Sequence, residues 1–239
     1  MKVYRKIKRL KAGKHRIYKL YVRGGMFMNK KKIVKIILIV VFVLLLVFLV
    51  HLARNMVILS SISTKSKEYE SKTNYYLKVS GENSGLEYIE TYIKDDKRKT
   101  VVKRKSTNDI MTQYVDGNSS KVFWDLTDGR KIMREGVENI FPLDINVLGI
   151  GNSKKDLLNL SAICKIRTEK VNDNKYYVIS AIFNDDGTCY INKETGLVDI
   201  IVNILDNNKK SVVNREYSFD TVEDKDFELP NVLEYTIEK

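Results

Sequence analysis

Residues 33–53 read IVKIILIVVFVLLLVFLVHLA, 21 positions that are apolar apart from Lys35 and His51. Wound as an α-helix they extend about 31 Å, the thickness of a bilayer's hydrocarbon core. A buried helix of a soluble protein would carry a polar stripe, and residues 36–50 carry none. The run also outlasts the ~7–15 apolar residues of a cleaved signal peptide, and His51-Leu52-Ala53 is a poor small-x-small cleavage site. No cysteine follows it at the position a lipoprotein acylation signal needs. The run therefore predicts an uncleaved signal anchor.

Charge sets the orientation. Residues 1–35 hold 14 of the 42 Lys and Arg and no Asp or Glu, so the rest of the chain carries 28 basic against 30 acidic residues. A basic N-terminal flank stays on the cytoplasmic side, which makes 1–32 a cytoplasmic segment, 33–53 the anchor and 54–239 an extracytoplasmic domain in a single-pass cell-membrane protein. That domain is close to neutral, so nucleic acid is not expected as its partner. Residues 1–27 have two readings. Met28-Asn29-Lys30-Lys31-Lys32 is by itself a sufficient basic start, with Arg23-Gly24-Gly25 upstream at ribosome-binding distance in the gene, so 1–27 is either a mis-set start or a polybasic arm drawn to anionic lipid.

Beyond the anchor, residues 55–70 read as helix, and then strands follow almost without interruption. Alternation of β-branched and aromatic residues with polar ones places them near 74–81, 86–94, 99–105, 110–116, 121–126, 130–134, 162–169, 175–183, 187–192, 197–205 and 211–219. Asp95-Asp96-Lys97, Asp116-Gly117-Asn118, Asp128-Gly129 and Asp185-Asp186-Gly187 separate them as hairpin tips. Asn192-Lys193-Glu194-Thr195 before Gly196 reads the same way, as a turn and not a site. Short loops imply antiparallel neighbours. The one interruption, 136–160, ends in a short helix that Ser153 would cap and whose face carries Leu157, Leu158 and Leu160. The predicted fold class is mainly β: a curved antiparallel half-barrel of about eleven strands with a few covering helices, preceded by one transmembrane helix.

Such a sheet holds either an apolar ligand cavity or a packed core. Alternation points Ile89 and Ile93 inward on one strand and Val122, Trp124 and Leu126 on another. On 197–205 the uniformly β-branched set Val198, Ile200, Val202 and Ile204 is expected inside, opposite Leu197, Asp199, Ile201 and Asn203. These nine inward residues are the candidate ligand-binding set.

Both histidines, His15 and His51, precede the outer domain, so it has no histidine for general-base, triad or metal chemistry. Gly149-Ile150-Gly151 is a lone Gly-x-Gly with no strand before it, too little for a phosphate loop. No catalytic residue, cofactor or metal is expected, and the domain reads as non-enzymatic. Cys164 and Cys189 fall two strands apart in a simple meander, about 9–10 Å, beyond the reach of a disulfide, so buried free thiols are expected.

The segments KYYVIS at 175–180, YINKETGLVDI at 190–200 and REYSFDTVEDKDFELP at 215–230 resemble the LolA/LolB-like superfamily of lipoprotein carriers, with VFWDLTDGRKI at 122–132 matching the early sheet. The family shows a Lys-x-Thr-Gly-Leu turn and a closing Phe-x-x-Pro. The resemblance covers about 56–239 and implies an eleven-stranded half-barrel with a helical lid and a cavity for acyl chains. The anchor departs from the family, and the low-Pro, Lys-, Asn- and Ile-rich composition resembles that of a low-GC Gram-positive bacterium. Clostridial spore-germination lipoproteins of the same fold bind a cell-wall amidase, but this chain lacks their lipid-attached cysteine. Two functions follow: a membrane-bound holder of a lipid or acyl chain, or a protein-binding regulator of a cell-envelope or germination enzyme.

Overall fold

A computed structural model describes residues 30–81, 85–136, 143, 145, 153–182, 187–205 and 209–238. The segment 1–29, Gly149-Ile150-Gly151 and the Asp185-Asp186 tip lie outside them. The chain divides into two units, Met1–Val50 and His51–Lys239. Helix α1 runs Lys30–Glu70. Within the first unit every side chain described from 31 to 50 is exposed, seventeen consecutive large apolar groups among them but for Lys35. Water would not tolerate such a surface, and the segment fits a membrane anchor or signal sequence.

The second unit is an open, curved sheet of twelve strands. In chain order they are β1 (Asn74–Gly81), β2 (Leu86–Lys94), β3 (Lys97–Arg104), β4 (Ile110–Asp116), β5 (Ser119–Asp125) and β6 (Lys131–Glu135), then β7 (Cys164–Val171), β8 (Asn174–Ala181), β9 (Gly187–Asn192), β10 (Val198–Ile204), β11 (Lys210–Phe219) and β12 (Thr236–Ile237). Eleven of them fall where alternation put them, to within two or three residues; the two-residue β12 is additional. The sheet is two meanders, β1–β6 and β7–β11, joined by the antiparallel pair β1–β11, where Leu77 faces Tyr217. The pair β12–β6 is parallel.

Helix α2 (Lys154–Ile163) begins as expected, with Ser153 accepting from the Asp156 amide at 3.1 Å. Its face differs from the expected one: Leu157 and Leu160 pack inward, while Leu158 is exposed, because 157 and 160 lie three apart on one side and 158 lies 100° away. Together with residues 51–70 of α1 it covers one face of the second meander. Leu59 and Ile62 of α1 sit against Cys164, Ile166, Ile179, Ile191 and Val198. Each of the two helix side chains is almost fully enclosed, a contribution of about 1.5–3 kcal/mol apiece.

The helix also closes a sheet edge. Among the described strands β7 pairs with β8 alone, and the Ile182 amide on the Ile163 carbonyl sets an alternation that leaves the Cys164 and Ile166 carbonyls on the free side. Asn55 Nδ2 donates to Cys164 O at 2.8 Å and to Ser161 O at 3.0 Å, and Arg54 Nη2 donates to Ile166 O at 3.2 Å. Those acceptors are then unavailable to an incoming strand. Cys164 and Cys189 are free thiols with β8 between their strands, and burial pushes both thiols above their ordinary pKa.

Candidate functional site

Directly opposed residues of neighbouring strands share a face, so the register reads out the floor of the helix-covered side across β1–β6. One row is apolar throughout: Val79, Ile89, Val102, Met111, Trp124 and Ile132. The next row turns polar in its middle, running Leu77, Thr91, Thr100, Gln113 and Val122. The third runs Tyr75, Ile93, Arg98, Val115 and Ser120. Lining one end of the first row is a cleft of about 340 Å³ bounded by Leu86, Val102, Met111, Trp124 and Leu126, with Arg104, Asp109 and Ile110 at its side. A bulge between Leu86 and Tyr88 lets Leu86 and Ile89 sit on the same face despite their odd spacing.

The charged rim is partly committed. Hydrogen bonds from Thr107 and Thr127 hold the Asp109 carboxyl below the usual carboxylate range, and Thr127 donates to it from both its amide, at 2.9 Å, and its hydroxyl, at 2.8 Å. On the other side of Trp124 a second hollow of about 250 Å³ is lined by Trp124, Leu126, Ile132, Arg134 and Glu238. There Arg134 lies 5.6 Å over the indole ring and pairs with Glu238 at 2.6 Å. Trp124 thus divides two apolar hollows, with an Arg beside each.

Of the nine inward residues expected, five lie on this floor. Trp124 and Leu126 line the cleft, Ile89 stands in the same row as Trp124, Val122 is fully buried in the row beneath, and Ile93 packs toward the cluster of Tyr75, Leu77, Ile145 and Leu197. Val198 also faces the covered side, but against α1, in the packed core. Ile200, Val202 and Ile204 do not face it. A bulge between Val198 and Ile200 adds a residue to β10, after which Ile201 opposes Cys189 and Val213 on the covered face while Ile200, Val202 and Ile204 point to the other side. Leu197, expected on the mixed face, is buried. Sequence alternation alone had no means of locating that extra residue.

Leu86, Val102, Met111 and Arg104 were missed. Alternation on 99–105 carried the signal for Val102, but strict alternation on 86–94 turns Leu86 the other way; only the bulge and the cross-strand register bring the two together with Met111. The turn reading of 192–195 holds: the Glu194 amide donates to Asn192 Oδ1 at 2.9 Å and the Gly196 amide to Asn192 O at 2.9 Å. Among the described residues no three His, Cys, Asp or Glu side chains come together as a metal site would require.

The opposite face is covered too, by residues 220–238. Tyr235 stands edge-on to Phe123 with centroids 5.0 Å apart and donates to Asp125 Oδ1 at 2.9 Å; burial first, then this bond, pushes its phenol up to about 12. Lys99 donates to the Asp226 carbonyl at 2.9 Å, and β12 completes the edge on β6.

No family model matches the sequence, and no curated protein does. Among solved structures the chain is similar to an uncharacterized conserved protein from Thermus thermophilus, at 9% identity and TM-score 0.43 over 75% of this chain and 98% of that one. It is also similar to a LolA superfamily protein from Nitrosomonas europaea, at 13% identity and TM-score 0.29 over 71% and 97%. A third is MucB, at 11% identity and TM-score 0.34 over 72% of this chain and 62% of that one. Such a likeness concerns the fold alone, and what the cleft does has to come from its own residues.

Proposed function

We propose that this chain is a non-enzymatic, membrane-anchored extracytoplasmic binding protein that holds an apolar ligand or acyl chain on the covered face of its sheet. The observation that supports it is the unbroken apolar row ending in the 340 Å³ cleft of Leu86, Val102, Met111, Trp124 and Leu126. Its size falls at the lower end of ligand pockets, roughly 300–1,000 Å³, enough for part of one chain. Trp124 and Leu126 make the contact, Ile89 extends the row, and Ile93 and Val122 support it from below.

Trp124→Ala tests the reading. Binding of a fluorescent fatty acid should weaken about tenfold, while the fold loses less than the roughly 3–5 kcal/mol that a tryptophan in a packed core would forfeit. A native protein that binds no such probe, together with a loss of that full size, would move the function to a protein-binding regulator of a cell-envelope or germination enzyme.

On this reading the activity belongs to the outer surface of the cell membrane, with the N-terminus inside. Protease added to intact protoplasts should digest the chain beyond about residue 54 and spare the basic segment. A protected C-terminal domain would overturn the topology.

A further inference from the structure

Residues 51–70 of α1 lie lengthwise on the second meander, and their contacts fix the direction. Asn55 holds the Ser161 and Cys164 carbonyls, Leu59 and Ile62 fill the middle, and Lys65 and Ser66 lie against Lys193 and Gly196 of the β9–β10 turn. The start of this helical segment therefore marks one rim of the sheet and its end the other. Antiparallel register carries the first rim across the meander. It holds Ile163 and Cys164 at the start of β7, Ala181 and Ile182 at the end of β8, Gly187 of β9, Leu205 after β10 and Lys210 of β11.

The two rims of this meander differ in chemistry. At the far rim the turns are polar, Asn172-Asp173 and Asn192-Lys193-Glu194-Thr195. At the rim beside Asn55 three large aliphatic side chains face solvent: Ile163, Ile182 and Leu205 are 47%, 43% and 43% exposed. The Ile182 amide on the Ile163 carbonyl at 2.8 Å makes the first two neighbours, and Leu205 lies two strands further on, about 9–10 Å. Apolar groups gathered at one end of a sheet, where hairpin turns are ordinarily polar, mark a contact surface.

The chain itself says what that surface meets. The apolar run ends at Ala53, and Asn55 stands two residues on, a rise of about 3 Å. Headgroups occupy about 5–7 Å on each side of the hydrocarbon core, so the rim beside Asn55 falls at their depth. Met56 and Val57 of α1 fall there too and are 38% and 71% exposed. Arg54, Lys165, Lys209 and Lys210 stand near this rim, while the connections after β8 and β10 contain Asp185, Asp186 and Asp206. Those charges nearly balance, which leaves the contact to the apolar side chains.

On the membrane-anchored reading proposed above, we infer that this rim is a second membrane contact: Ile163, Ile182 and Leu205 sit in the headgroup layer of the bilayer that holds the anchor. Register extends the same rim through Gly81 of β1 to Leu86, Arg104 and Ile110, which line the 340 Å³ cleft. The cleft then borders the membrane surface.

The test uses the full chain in phosphatidylcholine nanodiscs. A nitroxide is attached after Ile182→Cys or Leu205→Cys, with Leu46→Cys in the apolar run and Glu194→Cys on the far rim as references. The unsubstituted chain, treated alike, gives the background from Cys164 and Cys189. Collisions of each label with oxygen, which concentrates in lipid, are compared with those of a water-soluble nickel complex. The oxygen-to-nickel ratio at 182 and 205 should rise above the Glu194 value and stay below the Leu46 value. Ile163→Asp with Leu205→Asp should return the label at 182 to the Glu194 value, because a carboxylate resists leaving water. Should that pair not fold, the labels at 182 and 205 in the otherwise native chain decide. Ratios there equal to that at Glu194, or an unchanged ratio in a folded aspartate pair, would overturn the rim contact and leave the anchor standing. A water-like ratio at Leu46 as well would remove both.

Discussion

Phe123→Ala should cost about 3–5 kcal/mol of stability, more than Trp124→Ala one residue away. Alternation assigns Phe123 to the outer face beside Asp125, where a lone aromatic would be of little consequence. In the folded domain it is 1% exposed, one of the most enclosed large side chains. Tyr114 meets its ring edge-on at 5.6 Å and Tyr235 at 5.0 Å, and Met133 faces it across β5–β6. Truncation leaves a void between sheet and C-terminal arm, and the loss of two edge-to-face contacts adds to the transfer term. Chemical denaturation of the variant gives the number. A loss below about 1 kcal/mol would mean that residues 220–238 are not docked on this face in solution.

Gly196→Ala should be nearly as severe, about 3 kcal/mol or more, and unlike alanine at the other turn glycines. Gly196 has φ +73°, where only glycine is unstrained, and an added Cβ would lie 2.7 Å from Ile62 O and 2.9 Å from Ser66 N. Those are backbone atoms of α1 and cannot rotate away. The β9–β10 turn therefore docks backbone to backbone on the helix, and Lys65 reaches the Lys193 carbonyl beside it. Gly117 and Gly129 also have positive φ but nothing within 4 Å of a new Cβ, so alanine there should cost only the conformational term, about 1 kcal/mol. Asparagine at 196, which tolerates the φ, should fail like alanine because its Cβ meets the same atoms. Thermal unfolding of the four variants separates the cases; equal losses at 117, 129 and 196 would show that the helix does not rest on this turn.

Phe123 and Gly196 mark where reading the chain stops working. A period-two pattern states which residues share a side of a strand, and it did so correctly for Ile89, Ile93, Val122, Trp124 and Leu126. It does not state whether the far side is wet. Phe123 is buried because the segment around Tyr235, whose hydroxyl bonds Asp125 across 110 residues of chain, folds back over it, and nothing local to VFWDL encodes that cover. Gly196 was correctly read as the glycine of a turn, yet its intolerance of a side chain comes from a helix more than 120 residues earlier.

What the sequence determined by itself is what short-range physics controls. Bilayer-length hydrophobicity placed the apolar helix, β-branched alternation placed eleven strands, Asx-Gly chemistry placed their turns, and Ser153 placed the start of α2. Tertiary structure alone decided which strands became neighbours at β1–β11, where the extra residue of β10 turned Ile200, Val202 and Ile204 away from the covered face, and which side chains met across the floor. Thr91, Thr100 and Arg98 are ordinary polar residues in their own strands; they become an enclosed cluster only because pairing sets Thr91 opposite Thr100 and the folded chain excludes water from both. Register and burial are sums over contacts distant in sequence, so no window along the chain contains them.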